Sequence, residues 1–200
     1  MRDMTNKEFL MKMILTNKGI VTTAEALREG ISKQYFFEYV KNCGLEKVGK
    51  GIYATKDAWL DHLYLLQLQY PNIIFSHETA LFLHNLNDSE PMNYTVTVAS
   101  GYNANRLIDK GVKVVRVKKE WFAVGLTELP TPGGHIVKSY NLERTICDII
   151  RSRNKIEIQD LTDSLKTYAK RKDKNIPELM RYAKQLRVEK VLRQYLEVLL

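Results

Sequence analysis

Ser32, Lys33, Gln34 and Tyr35 stand together at the start of one predicted helix and carry groups suited to reading a nucleic-acid surface. A glutamine amide donates one hydrogen bond and accepts another, which matches the N6/N7 edge of adenine. A lysine pairs with guanine or neutralises a phosphate. Lys41 and Glu38 lie further along the exposed side of the same helix. The stretch "LEKVGKGIYAT" (45–55) follows directly and reads as two short strands turning at Gly49-Lys50-Gly51. Lys47 and Lys50 on such a hairpin suit backbone phosphates or the adjacent minor groove. Thr23, at the start of the preceding helix, completes the candidate DNA-binding set.

Other residues with chemical potential lack partners at the required spacing. His77 and His84 are seven apart and share a helix face, but Leu81 stands where an HExxH zinc motif needs its second histidine. Ser76 beside His77 reads as a helix cap rather than a nucleophile with its base. "TPGGHIV" has neither the lysine nor the following helix of a P-loop and reads as a turn. The acidic residues of the central part are scattered. The expectation is a protein that is no enzyme and holds neither metal nor cofactor. Near the C-terminus Lys170, Arg171, Lys172, Arg181 and Lys184 form a candidate polyanion surface, for which the alternative is a solvated helix face.

The elements that must position these groups follow from caps and periodicity. Thr5 and Glu8 make a capping box before Phe9, Leu10, Met13 and Ile14, and Gly19 stops that helix. Thr22 or Thr23 caps a short second helix that Gly30 ends, and Ser32 caps the third. The third helix buries Phe36, Tyr39 and Val40, stops at Gly44, and leads into the hairpin, which Val48, Ile52 and Tyr53 anchor. This is the element order of a winged helix-turn-helix, in which the third helix enters the major groove by its N-terminal residues. An outward Phe37 would touch a thymine methyl or cover the edge of the first helix.

Residues 1–57 thus read as a DNA-binding domain, and 58–200 as a second, α/β domain. A helix over "TKDAWLDHLYLLQLQYP" carries Trp59, Leu60, Leu63, Leu66 and Leu68. Another starts at Ser76. Strands are expected at "YTVTVAS", at "VKVVRVKK" and ending near Tyr140, then a helix from about Leu142 in which Arg144 and Asp148 pair at i,i+4. Residues 156–200 are mostly helical. The fold class is α+β: an N-terminal winged helix-turn-helix followed by an α/β domain with a small sheet and a helical tail.

Charge is unevenly placed along the 200 residues, whose net charge is +8. Residues 1–57 hold 10 Lys and Arg against 7 Asp and Glu, residues 58–150 hold 8 against 9, and residues 151–200 hold 13 against 7. Such an excess favours polyanion partners. Cys43 and Cys147 lie far apart in no metal-binding pattern and read as buried thiols in a reducing, cytoplasmic setting. The N-terminal stretch reads as an amphipathic helix and not a signal peptide, and no run is apolar for the roughly 18 residues a membrane span needs.

Four segments in order, "GISKQYFFEYVKNCGLEKVGKGIYAT", "SHETALFLHNLND", "YTVTV" and "VKSYNLERTICDII", resemble the AbiEi antitoxins of type IV toxin–antitoxin systems. The resemblance runs from about residue 5 to residue 195 and rests on the "GxGxY" hairpin, the "SHETAL" helix start and the "ERTxxD" helix. Phe36 and Phe37 are bulkier than the usual residues there. The resemblance implies a transcriptional autorepressor whose winged helix binds operator DNA with inverted repeats. It also implies a C-terminal domain that counters a nucleotidyltransferase-like toxin without a stable complex. Two other readings of the residues stand beside it: a protein-binding module, and an RNA-binding module using the basic C-terminal helices.

Overall fold

The computed structural model of the chain describes residues 4–87 and 89–199, and side chains through residue 197. Of the N-terminal stretch read as an amphipathic helix, residues 1–3 lie outside the described residues. The chain forms two compact units, Met1–Pro71 with Pro132–His135, and Asn72–Thr131 with Ile136–Leu200.

In the first unit, α1 (Asn6–Thr16) opens on the expected capping box. Thr5 Oγ1 accepts from Glu8 N, and the Glu8 carboxylate accepts from Thr5 N at 2.8 Å. The helix ends in a Schellman turn that puts Lys18 (φ 49°) in the left-handed position, one residue before the expected stop at Gly19. β1 (Ile20–Thr22) leads into α2 (Thr23–Arg28), and Thr22 is its cap. Ser32 caps α3 (Lys33–Asn42), and the tight turn before it buries Ile31, whose N–H donates to the Ala26 carbonyl at 3.0 Å. β2 (Glu46–Gly49) and β3 (Ile52–Ala54) form the expected hairpin. β1 adds to it antiparallel, giving the order β1-β3-β2.

Strand alternation divides this small sheet between two cores. Val21 and Tyr53 face the helices, joining Leu10, Ala26, Ile31, Phe36, Tyr39 and Val40. Ile20, Ile52 and Ala54 face the other way and are covered by Leu65, Tyr64 and Leu68 of α4 (His62–Gln69). That packing carries the unit past residue 57 to Pro71. Asp61 caps α4 by accepting from Tyr64 N at 3.1 Å, so the helix starts later than the apolar pattern suggests, and Trp59 is 77% exposed outside it. The "PGGH" turn also belongs to this unit. Buried His135 stacks on Tyr64 at 4.2 Å and contacts Asp61 Oδ2 through Nδ1 at 2.9 Å. Cys43, expected to be buried, is exposed because it occupies the C-cap of α3.

The second unit has a five-stranded mixed sheet of order β6-β5-β4-β8-β7. Its strands are β4 (Ile74–Phe75), β5 (Thr95–Ala99), β6 (Lys113–Val117), β7 (Leu126–Pro130) and β8 (Ile136–Tyr140). Two of these were not expected: β4 is too short to alternate, and β7 is an edge strand ending in proline. The helices are α5 (His77–Leu83), α6 (Asn105–Ile108), α7 (Lys119–Phe122), α8 (Leu142–Arg151), α9 (Ile158–Lys170), α10 (Ile176–Gln185) and α11 (Glu189–Leu199). α8 packs against α5, α9, α10 and α11, and its residues 142–150 are all buried.

Four of those buried residues are ionisable: Glu143, Arg144, Cys147 and Asp148. Arg144 is 0% exposed and donates through Nε to Asp148 Oδ2 at 3.0 Å. One terminal nitrogen donates to the Trp121 and Val124 carbonyls, both at 2.8 Å. The cation also lies 4.2 Å from the Tyr140 ring centroid. The carboxylate of Glu143 accepts from Asn175 N at 2.8 Å and from the Tyr168 hydroxyl at 3.2 Å, tying α8 to α9 and the start of α10. Cys147 is buried beside them, and burial pushes its thiol up to about 12. Arg144→Ala leaves a buried carboxylate without its cation, and the expected loss is about 3–5 kcal/mol in urea unfolding. Adding Asp148→Leu should recover part of that loss, and a double variant no more stable than the single one contradicts the pairing.

Candidate functional site

The residues expected from sequence to read DNA all lie on the first unit, and Thr23 is the one whose hydroxyl oxygen is buried. α3 turns Ser32, Lys33, Gln34, Glu38 and Lys41 to solvent. Ser32 Oγ accepts from Tyr35 N at 3.2 Å, which leaves its hydroxyl proton for an outside acceptor. The ring of Tyr35 is half-buried against the helical core. Phe37 is 40% exposed and packs edge-on to Tyr53 of β3 at 6.2 Å, while Phe36 meets the same ring at 5.6 Å. These two contacts hold α3 against the hairpin. Lys33 Nζ lies 5.9 Å from the Phe37 ring centroid.

On the hairpin, Lys47 and Lys50 are exposed. The two glycines differ in backbone. Gly51 adopts φ 70°, the left-handed backbone that the Lys50–Gly51 turn requires. Gly49 has no left-handed backbone, and a Cβ there would sit 2.8 Å from Nε2 at the movable end of the Gln69 side chain of α4. Thr23 is the exception. Its hydroxyl oxygen is buried without a hydrogen-bond partner, and its backbone N–H donates to the Gly51 carbonyl at 2.8 Å. It ties α2 to the hairpin turn and presents no hydroxyl to a phosphate.

The C-terminal basic set is thinned by internal pairing. Arg171 grips Asp173 through Nε and a terminal nitrogen at 2.8 and 2.7 Å, and its other terminal nitrogen donates to the His84 carbonyl. Arg181 pairs with Glu178 at 2.6 Å. Lys170, Lys172 and Lys184 are exposed and remain as solvent-facing cations.

A second constellation, not anticipated from sequence, lies in the second unit. His77 and His84 meet opposite ends of α8, Ser152 just past its end and Tyr140 just before its start. His84 caps α5 and its Nε2 meets the Tyr140 carbonyl at 2.8 Å. His77 is 4% exposed, has a left-handed backbone (φ 51°), and lies between Ser76 Oγ and Ser152 Oγ, each 3.0 Å from one ring nitrogen. Ser76 makes no side-chain cap. Its hydroxyl accepts from Thr97 Oγ1 at 2.9 Å instead. A neutral imidazole satisfies the whole chain: Thr97 donates to Ser76, Ser76 to Nδ1, and Nε2–H to Ser152. Burial lowers the pKa of both His77 and His84, which keeps them neutral.

His77 forms one wall of a cavity of about 280 Å³ that Arg116, Asp148, Arg151 and Lys155 also line. Through Arg116, Val117 and Arg151 it adjoins a second cavity of about 440 Å³ bounded by Trp121, Arg187 and Val188. No sequence spacing pointed to this cleft, because its cations come from one strand, one helix end and one short turn. Among the described residues no cluster of three His, Cys, Asp or Glu is arranged to hold a metal. Nor is any helix long and apolar enough to cross a membrane.

No family model and no curated protein matches this sequence. The fold is similar to that of the RV2827C protein from Mycobacterium tuberculosis. That crystal structure aligns with a TM-score of 0.55 at 15% identity, over 92% of this chain and 73% of that one. At such identity the likeness concerns fold alone.

Buried His77 and half-buried His84 make stability depend on pH with a definite sign. Unfolding releases each to titrate near pH 6.5, above its lowered folded-state pKa, so the unfolded chain binds the extra protons. Their contribution is complete above about pH 6.5 and declines below it, by at most about 1.4 kcal/mol per pH unit for each group. The urea midpoint should fall between about pH 7 and pH 5.5, above the carboxylate range, and His77→Asn should reduce that fall. A midpoint that rises on acidification contradicts the assignment.

Proposed function

We propose that the first unit is a winged helix-turn-helix that binds DNA, and that the protein is an AbiEi-type antitoxin and autorepressor. The observation that carries this reading is the aromatic seam of Phe36, Phe37 and Tyr53. It holds α3 against the hairpin and leaves Ser32, Lys33, Gln34, Lys47 and Lys50 exposed. α3 enters the major groove with Gln34 toward a base edge, and Lys47 and Lys50 rest on the flanking backbone. Two copies occupy inverted repeats spaced by about one helical turn or a multiple of it.

In the wider reading the protein is a cytoplasmic repressor rather than an enzyme. The second unit counters a nucleotidyltransferase-like toxin by acting on its effects and not by a stable complex. A reading frame for such a toxin, if found downstream, would support this part, and inverted repeats, if found upstream of the gene, would support the repressor part.

The DNA reading separates two kinds of residue in a gel-shift series. Gln34→Ala should relax preference for one base position, at a cost of about 1–3 kcal/mol on the cognate site. Lys50→Ala should weaken binding about equally on every sequence and reduce the salt slope by about one. Both variants keeping wild-type affinity and selectivity would sink the assignment.

A further inference from the structure

The cleft beside His77 has no part in the DNA reading, and its construction calls for a ligand. Arg116 on β6, Arg151 at the end of α8 and Lys155 in the short turn after it converge on the smaller cavity. The one acidic residue lining it, Asp148, is already held by Arg144 at 3.0 Å. Arg116 and Lys155 are exposed, and among the described residues neither has an acidic partner. Arg151 is set in place, its guanidinium lying 4.7 Å from the Trp121 ring centroid. The end of α8 would ordinarily repel an anion through its free carbonyls. Here Ser152 N donates to the Asp148 and Ile149 carbonyls, and Arg153 donates to that of Ile150 at 3.2 Å.

Backbone geometry points to the same place. Four non-glycine residues among those described adopt left-handed backbone: Lys18, His77, Asn85 and Arg187. Two of them, His77 and Arg187, line this cleft. Arg187 (φ 61°) stands in the Schellman turn that ends α10, where Val188 N donates to the Ala183 carbonyl at 2.8 Å and glycine is the unstrained choice. Strained backbone of this kind is found at ligand sites among other places, and here it coincides with the cationic cleft.

We propose that this cleft binds a small polyphosphate anion of nucleotide size. The phosphates occupy the lobe of Arg116, Arg151 and Lys155, where the Ser152 hydroxyl can also reach them. The remainder of the ligand extends over Leu186 and Val188 in the adjoining lobe, beside Arg187. Arginine suits this task because its planar fork meets two phosphate oxygens at once. A rigid duplex does not fit a concave cavity of about 280 Å³, which favours a small polyphosphate over a nucleic-acid backbone.

Titration calorimetry on the full chain tests this with pyrophosphate and ATP as probes, sulfate as a charge control and a short single-stranded oligonucleotide as competitor. Pyrophosphate and ATP should bind saturably and more tightly than sulfate. The double variant Arg116→Ala/Lys155→Ala should weaken both by about tenfold or more while keeping the wild-type urea midpoint. Lys33→Ala/Lys50→Ala should leave them unchanged, so a failure of the DNA reading would not be mistaken for failure here. Three results would overturn the proposal: no saturable binding of either probe, binding that the double variant retains, or an oligonucleotide that outcompetes ATP for the cleft.

Discussion

A fully buried arginine is the constraint on which the second unit depends. A guanidinium taken out of water is tolerable only when its charge and its donors find partners, and Arg144 dictates where those partners stand. Asp148 must lie one turn further along α8, and the carbonyls of Trp121 in α7 and of Val124 just after it must turn inward. Gly125 must be glycine, since a Cβ there would come within 2.6 Å of Arg144 Cβ. One terminal nitrogen is left without an acceptor, so the site is not perfectly matched, and the Tyr140 ring supplies the remaining contact with the cation. α8 placed in this way carries Arg151 and Ser152 to the cleft beside His77.

The first unit follows a different logic, in which strand alternation does what the ion pair does elsewhere. A three-stranded sheet with strands of three or four residues is too small to fold alone, and it is stabilised by having an apolar layer on each face. The helical layer fixes α3 and the α4 layer fixes the hairpin, and Tyr53 is the residue common to α3 and the hairpin. The exposed cations owe their arrangement to that packing, since among the described residues none of them is held by an ion pair within the unit.

Local signals in the sequence were legible where short-range physics decides the outcome. The capping box at Thr5, the Ser32 cap, the Lys50–Gly51 turn and the pairing of Arg144 with Asp148 all involve residues within four positions of each other. What was not legible depends on partners far along the chain. Trp59 and Leu60 continue an apolar pattern but lie outside α4, because Asp61 is claimed as its cap and by His135, 74 residues away. Ser76 looks like a helix cap, yet its hydroxyl joins Thr97 and His77. β4 has only two residues and gains its identity from the strands on either side. The cleft gathers cations from residues 116, 151 and 155, a spacing that no motif encodes.

We propose that α3 and the hairpin together form a DNA-reading surface. A nuclease footprint of the purified protein on the DNA upstream of its own gene tests it most directly. Two protected half-sites related as inverted repeats should appear, their centres about one helical turn or a whole multiple apart. Uniform cleavage across that region at protein concentrations that saturate other DNA-binding domains of this size would contradict it.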